Sequence, residues 1–97
     1  STFYFTIEDG YLIRENEFSY IKFKLNRIKE VNIMKYGLIL ALENKKSLIF
    51  IPNTVLPVTL EEFISLLKAE NNSLIVIEEF KNLKKSLKKY MSYLQLP

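Results

Sequence analysis

The chain has 97 residues, room for one domain, and 48% of them are hydrophobic, enough for a core. It contains neither cysteine nor histidine, which removes disulfides, thiolate nucleophiles, Cys-ligated metals, the commonest general base and the commonest transition-metal ligand. The net charge of +3 belongs to the C-terminal segment, where Lys81, Lys84, Lys85, Lys88 and Lys89 stand against Glu78 and Glu79, while residues 1–77 sum to zero.

Phe3–Ile7 (FYFTI) is aromatic and β-prone and reads as a strand. Glu8-Asp9-Gly10 then signals a hairpin, because Gly accepts a positive φ at little cost, and Tyr11–Arg14 is the return strand. Asn16-Glu17 makes a second turn. Phe18–Leu25 alternates, with Ile21, Phe23 and Leu25 pointing one way and Tyr20, Lys22 and Lys24 the other, as in a strand with one wet face. Leu25, Ile28 and Val31 are spaced by three, which breaks the strand period and predicts a single helical turn or bend. Val31–Lys35 resumes as strand, and Gly37 marks a turn.

Two apolar runs follow, Leu38–Leu42 and Leu48–Ile51, flanking the polar link Glu43-Asn44-Lys45-Lys46-Ser47. They predict a β-hairpin at the heart of the core, ended by Pro52, which cannot donate to a ladder. Loop signals every eight to ten residues have the rhythm of an antiparallel sandwich or barrel.

After Pro52 the pattern becomes helical. Thr59-Leu60-Glu61-Glu62 has the form of a capping box, and Phe63, Leu66 and Leu67 give an apolar face, so a helix is predicted over about 60–70, ended by Asn71-Asn72. Leu74-Ile75-Val76-Ile77 reads either as a buried strand or as the first turn of a longer helix. Downstream, Phe80, Leu83, Leu87, Tyr90 and Leu94 alternate steps of three and four, and one amphipathic helix over about 74–95 is the preferred reading. The chain thus divides into a domain over 1–72 and a C-terminal amphipathic extension over 73–97, packed on that domain or on a partner.

Little in the sequence carries chemistry. Glu8 and Asp9 lack the further oxygens of a calcium loop, and turn chemistry accounts for them. Glu61 and Glu62 are explained by capping and the helix dipole. Lys22, Lys24, Arg27 and Lys29 with Tyr20 suggest a basic aromatic face for nucleic acid, but Glu15, Glu17 and Glu30 interleave and a solvated face is the better reading. No GxGxxG, GxSxG or HExxH string occurs, and two glycines do not make a phosphate-cradling loop. No catalytic residue, metal site, cofactor or small-molecule substrate is expected.

The least ordinary feature is the C-terminal stripe with its flanking lysines. Phe80, Lys81, Leu83, Lys84, Lys85, Leu87, Lys88, Lys89, Tyr90 and Leu94 are the expected contact residues for a protein partner, for self-association or for an anionic membrane surface. No apolar run approaches the roughly 20 residues that span a bilayer.

Several short motifs occur in order over Tyr4–Leu67: the opening FYFTIEDG, Tyr11-Leu12-Ile13, Leu25-x-x-Ile28-x-x-Val31, Phe50-Ile51-Pro52, and the helix from Thr59. In this the chain resembles the YcxB-like C-terminal domain family, a pleckstrin-homology-like domain of bacterial membrane proteins that usually follows two transmembrane helices. The likeness covers about two-thirds of the chain. It departs at Leu25, where many members have Trp, at Asn53, where many have Lys, and in the extra segment 73–97.

The resemblance implies an α+β fold, a curved antiparallel sheet or partial barrel of about six to seven strands over 3–52, capped by the helix at 60–70 and followed here by the C-terminal helix. It implies a cytoplasmic location at the inner face of the membrane, within a longer chain, and the N-terminal Ser fits a processed product or a piece. The family has no established activity, so no site residue carries over. The first hairpin loop, Glu8-Asp9-Gly10, would repel the phosphates that pleckstrin-homology domains meet with Lys and Arg, so phosphoinositide binding is not expected. The function expected is a non-catalytic interaction domain. The alternatives are a peripheral membrane binder using the basic helix and a nucleic-acid-binding module.

Overall fold

The structure, a computed structural model, describes residues 2–44 and 46–78. Its elements in chain order are β1 (Tyr4–Glu8), β2 (Tyr11–Glu15), β3 (Tyr20–Lys24), a 3-10 turn at Leu25–Arg27, β4 (Ile28–Ile33), β5 (Gly37–Leu42), β6 (Leu48–Pro52), a second 3-10 turn at Asn53–Val55, α1 (Leu60–Glu70) and β7 (Ile75–Glu78). The fold is α+β. The strands form two open sheets, one of three strands in the order β1-β2-β3 and one of four in the order β6-β5-β4-β7.

Local chemistry sets each connection. Asp9 and Gly10 both have positive φ, 50° and 79°, the backbone of a two-residue hairpin turn that matches the twist of β1 and β2. Asn16 shapes the β2–β3 link, its Oδ1 accepting from the amides of Phe18 and Ser19 at 2.9 Å each. Asn44 does the same between β5 and β6, accepting from Lys46 and Ser47. The Leu25–Arg27 turn lets the chain pass from the first sheet to the second. The Leu25 amide donates to the Gly10 carbonyl at 2.9 Å, which ties this corner to the first hairpin.

The helix starts where its cap residue stands. The Glu62 amide donates to Thr59 Oγ1 at 3.2 Å, and the Thr59 hydroxyl donates to Glu62 Oε1 at 3.1 Å. The carboxylate therefore returns to the hydroxyl of the cap residue, whereas the usual capping box returns to its amide. Thr59→Ala is expected to cost about 1 kcal/mol by loss of this cap. Urea denaturation followed by circular dichroism checks it. At the other end Asn71 stops the helix, donating from Nδ2 to the Ile28 carbonyl at 3.3 Å and accepting the Ser73 amide on Oδ1 at 3.0 Å.

One core lies between the sheets and the helix. Phe5 and Leu12 come from the first sheet, Val31, Leu38, Leu40, Leu42, Ile49 and Ile51 from the second, Leu25 and Ile28 from the corner, and Phe63 and Leu67 from α1. Because β5 runs against both β4 and β6, and β7 runs with β4, the strands β6 and β7 point the same way on opposite edges. The segment containing α1 joins them, and α1 sets Phe63 and Leu67 into the shared core and packs against the Leu25–Arg27 turn.

The preferred reading of the C-terminal segment is corrected: Ile75–Glu78 is a strand, so no helix starts at 74, and these residues belong to the four-stranded sheet. The β-branched Ile75, Val76 and Ile77 lose side-chain freedom in a helix and suit a sheet, and the open edge of β4 offers them backbone partners. The remainder of the predicted C-terminal helix lies outside the described residues. The six strands over 3–52 pair antiparallel, as expected, and β7 adds a parallel partner to β4, so the four-stranded sheet is mixed. Residues 3–52 hold six strands, within the expected six to seven, arranged in two open sheets. Gly37 closes the turn before Leu38, as expected, its carbonyl accepting from the Met34 amide at 2.9 Å, and Ile21 is 38% exposed although it alternates with Phe23.

Candidate interaction surface

Strand register assigns every side chain of the two sheets to a face. In the four-stranded sheet, Leu38, Leu40, Ile49, Ile51, Val31 and Val76 point inward. The outer face carries two rows across all four strands: Leu48–Ala41–Glu30–Ile75, then Phe50–Ile39–Asn32–Ile77. A surface face of this kind ordinarily alternates toward polar residues. Here both edges are apolar and open, with Leu48 61%, Phe50 51% and Ile75 48% exposed, and Glu30 is the one charged residue in the two rows. Asn32 lies along the face, its Nδ2 reaching the Ile39 carbonyl at 3.4 Å.

Gly37 makes room for this face. A side chain there would run into the Ile51 carbonyl oxygen, and its Cβ would stand 2.7 Å from Phe50 Cε2. The Phe50 ring therefore lies over a backbone that has no side chain, and only Gly permits it.

The outer face of the three-stranded sheet differs. Its rows are Tyr4–Glu15–Tyr20, Thr6–Ile13–Lys22 and Glu8–Tyr11–Lys24. Ile13, 3% exposed, is buried here although it lies outside the main core. Tyrosines and lysine stems shelter it: Lys22 Nζ sits 4.7 Å from the centre of the Tyr11 ring. These rows carry two carboxylates, Glu8 and Glu15, and two ammonium groups, Lys22 and Lys24, which makes it a mixed-charge, solvated face.

The expected basic patch does not come together as one surface. Lys22 and Lys24 share this face with Tyr20, but Arg27 is drawn away by a 3.0 Å ion pair with Glu43, and Lys29 donates to the Asn26 carbonyl at 2.8 Å. Glu8 and Asp9 sit in the hairpin turn, and Glu61 and Glu62 in the first turn of α1. Among the described residues no group of three or more acidic side chains is placed to hold a metal ion. The contact residues expected on the C-terminal stripe, Phe80 to Leu94, lie outside the described residues.

On the inner face of the first sheet, Arg14 stands 4.7 Å from the centre of the Phe3 ring and 5.6 Å from that of Phe23. Its Nε is buried and has no hydrogen-bond partner among the described residues. Contact with two rings favours the cation by about 0.5–1 kcal/mol each. The unmet Nε costs about 1–3 kcal/mol. Arg14→Met keeps the apolar stem and removes the unmet donor, so stability is expected to stay level or rise by about 1 kcal/mol. Urea unfolding measures it, and a loss above 2 kcal/mol would mean that the guanidinium is itself a structural element.

Two clefts adjoin these surfaces. One, of about 280 Å³, is lined by Phe3, Phe5, Phe50, Pro52 and Val55. Its walls hold only threonine side chains as polar anchors, too few to orient a small molecule. The other, of about 340 Å³, lies between α1 and β7 along Ile33, Ile64 and Val76, with Glu61, Lys68 and Glu78 at its rim.

Sequence reasoning named contact residues on the C-terminal stripe and left the sheet surfaces unspecified, so it did not single out the apolar outer face of the four-stranded sheet. The signal was present. Leu38–Leu42, Leu48–Ile51 and Ile75–Ile77 are apolar at both parities, the pattern of strands with two covered faces. Among the described residues no helix is long and apolar enough to cross a membrane. Compared with models of known protein families, with curated proteins and with solved structures, the chain matches none.

Proposed function

We propose that this chain is a non-catalytic interaction domain whose contact surface is the outer face of the four-stranded sheet. One observation carries the reading: Leu48, Phe50 and Ile75 stand about half or more exposed on a face whose two rows hold a single charge, Glu30. Apolar side chains gathered on one exposed face are the mark of a surface that another macromolecule covers. The absence of His and Cys from the sequence agrees with a role in binding rather than catalysis.

The pleckstrin-homology-like identity and the site at the cytoplasmic face of a bacterial membrane, within a longer chain, are part of the same proposal. Two open sheets around one core, with a helix packed against it, support it. The parallel strand β7 is a departure from that pattern.

A photo-reactive amino acid at position 50, compared with one at position 6 on the polar outer face of the other sheet, tests the reading in cells that make the chain. Protein adducts at position 50 and few at position 6 are expected. Equal yields at the two positions, or none at either, contradict it.

A further inference from the structure

We infer that the cleft between the open edges of β6 and β1 takes an extended, uncharged segment of another protein, added as a strand. The inference concerns a strand edge, goes beyond the outer-face reading and does not depend on it.

Register shows which backbone groups these edges leave open. The Leu42 amide donates to the Ser47 carbonyl at 3.1 Å, and the Asn53 amide to the Tyr36 carbonyl at 2.9 Å. Opposed residues in an antiparallel pair alternate between bonded and unbonded. Those two bonds therefore make Leu40–Ile49 and Leu38–Ile51 the bonded pairs of β5 and β6. Leu48 and Phe50 turn their N–H and C=O groups away from β5, and Pro52 its carbonyl. On β1, the two-residue turn Asp9-Gly10 makes Glu8–Tyr11 a bonded pair, and with it Thr6–Ile13. Phe5 and Ile7 therefore turn their N–H and C=O groups away from β2. Among the described residues, β6 pairs only with β5 and β1 only with β2.

Both edges line the cleft of about 280 Å³, Phe3 and Phe5 on one side and Phe50 and Pro52 on the other. Its walls carry no charged side chain. An acyl chain would fill it and leave both rows of backbone groups without hydrogen bonds. A charged segment would lose its hydration with no opposite charge to meet. A peptide strand with apolar side chains satisfies the edges and fills the cleft together.

The β6 edge is also unguarded. Open edges ordinarily carry charges that discourage pairing. β3, an edge of the other sheet, has Lys22 and Lys24, whereas β6 has no charged residue and its one breaker, Pro52, comes last. A strand lying between β6 and β1 must be free on both of its edges. Every strand among the described residues is already paired on at least one. A folded second copy therefore offers none of these strands, and the occupant is an unpaired segment of a different protein.

Hydrogen exchange of the full chain, read residue by residue by NMR, tests the edge first. The Leu48 and Phe50 amides are expected to exchange at least about tenfold faster than those of Ile49 and Ile51, which bond to β5. A displayed library of short random peptides is then selected on the full chain. The selected peptides are expected to be uncharged, with apolar residues at alternate positions. Added as synthetic peptides, they should slow exchange at Leu48 and Phe50. Leu48→Pro removes one outward donor at the first residue of the strand, where proline is tolerated. It is expected to weaken binding about three- to tenfold, the worth of one backbone hydrogen bond, while the melting temperature holds. If that variant fails to fold, N-methylation of alternate peptide amides replaces it, and only one of the two parities should lose binding. Slow exchange at Leu48 and Phe50 in the free chain would mean that the edge is already covered, and overturns the inference. Protection that grows with the concentration of the chain alone assigns the edge to a second copy and overturns it too. So does a library that yields no binder, or binders that leave these two amides unchanged.

Discussion

Phe63→Ala lowers the unfolding free energy by about 3–5 kcal/mol, the loss measured when a large buried aromatic side chain is truncated. Phe63 is the largest of the fully buried side chains, and with Leu67 it forms the buried face of α1. A domain of this size is stable by about 5–15 kcal/mol in total. The variant therefore sits close to unfolding, with a melting temperature lower by at least about 12 °C at about 4–8 °C per kcal/mol. Phe63→Leu keeps most of the volume and is expected to lose about a third as much. Thermal melts of the three proteins decide it. A loss under 1 kcal/mol for the alanine variant would mean that α1 is not a structural part of the core.

Gly37→Ala costs about 1–3 kcal/mol for a different reason, overpacking. The added methyl meets the Ile51 carbonyl, which is backbone in a paired strand, and the Phe50 ring at 2.7 Å and 3.0 Å. The ring can swing away and the carbonyl cannot. A double-mutant cycle with Phe50→Ala separates the two. The cycle is expected to recover about half of the loss or less, because the carbonyl clash remains. Full recovery would assign the whole conflict to the ring. Either way the Gly37→Ala protein presents an altered outer face.

What the sequence disclosed depended on where the decisive signal lay. Asp9-Gly10, Thr59 with Glu62, and the three-residue spacing of Leu25, Ile28 and Val31 each act within a few residues, and each appears in the structure as read. The strand at Ile75–Glu78 depends on a partner far away in the chain, the free edge of β4. Propensity over so short a run does not separate strand from helix, and the regular spacing downstream tilted the reading toward helix. The split into two sheets was hidden for the same reason, because it is decided by the turn at Leu25–Arg27 and by packing across the core. The outer face was legible only in part. Apolar residues at both parities announced two covered faces, but their grouping in rows needed the register of β4, β5, β6 and β7.

The measurement closest to the central claim is photo-crosslinking from position 50 of the full chain, made with and without Leu48→Asp. Leu48 is 61% exposed, so the substitution should leave the fold and its melting temperature nearly unchanged. The account predicts protein adducts from position 50 that fall severalfold when Leu48→Asp puts a charge on the face. No protein adduct from the unaltered face, or an adduct yield that the substitution leaves unchanged, would contradict it.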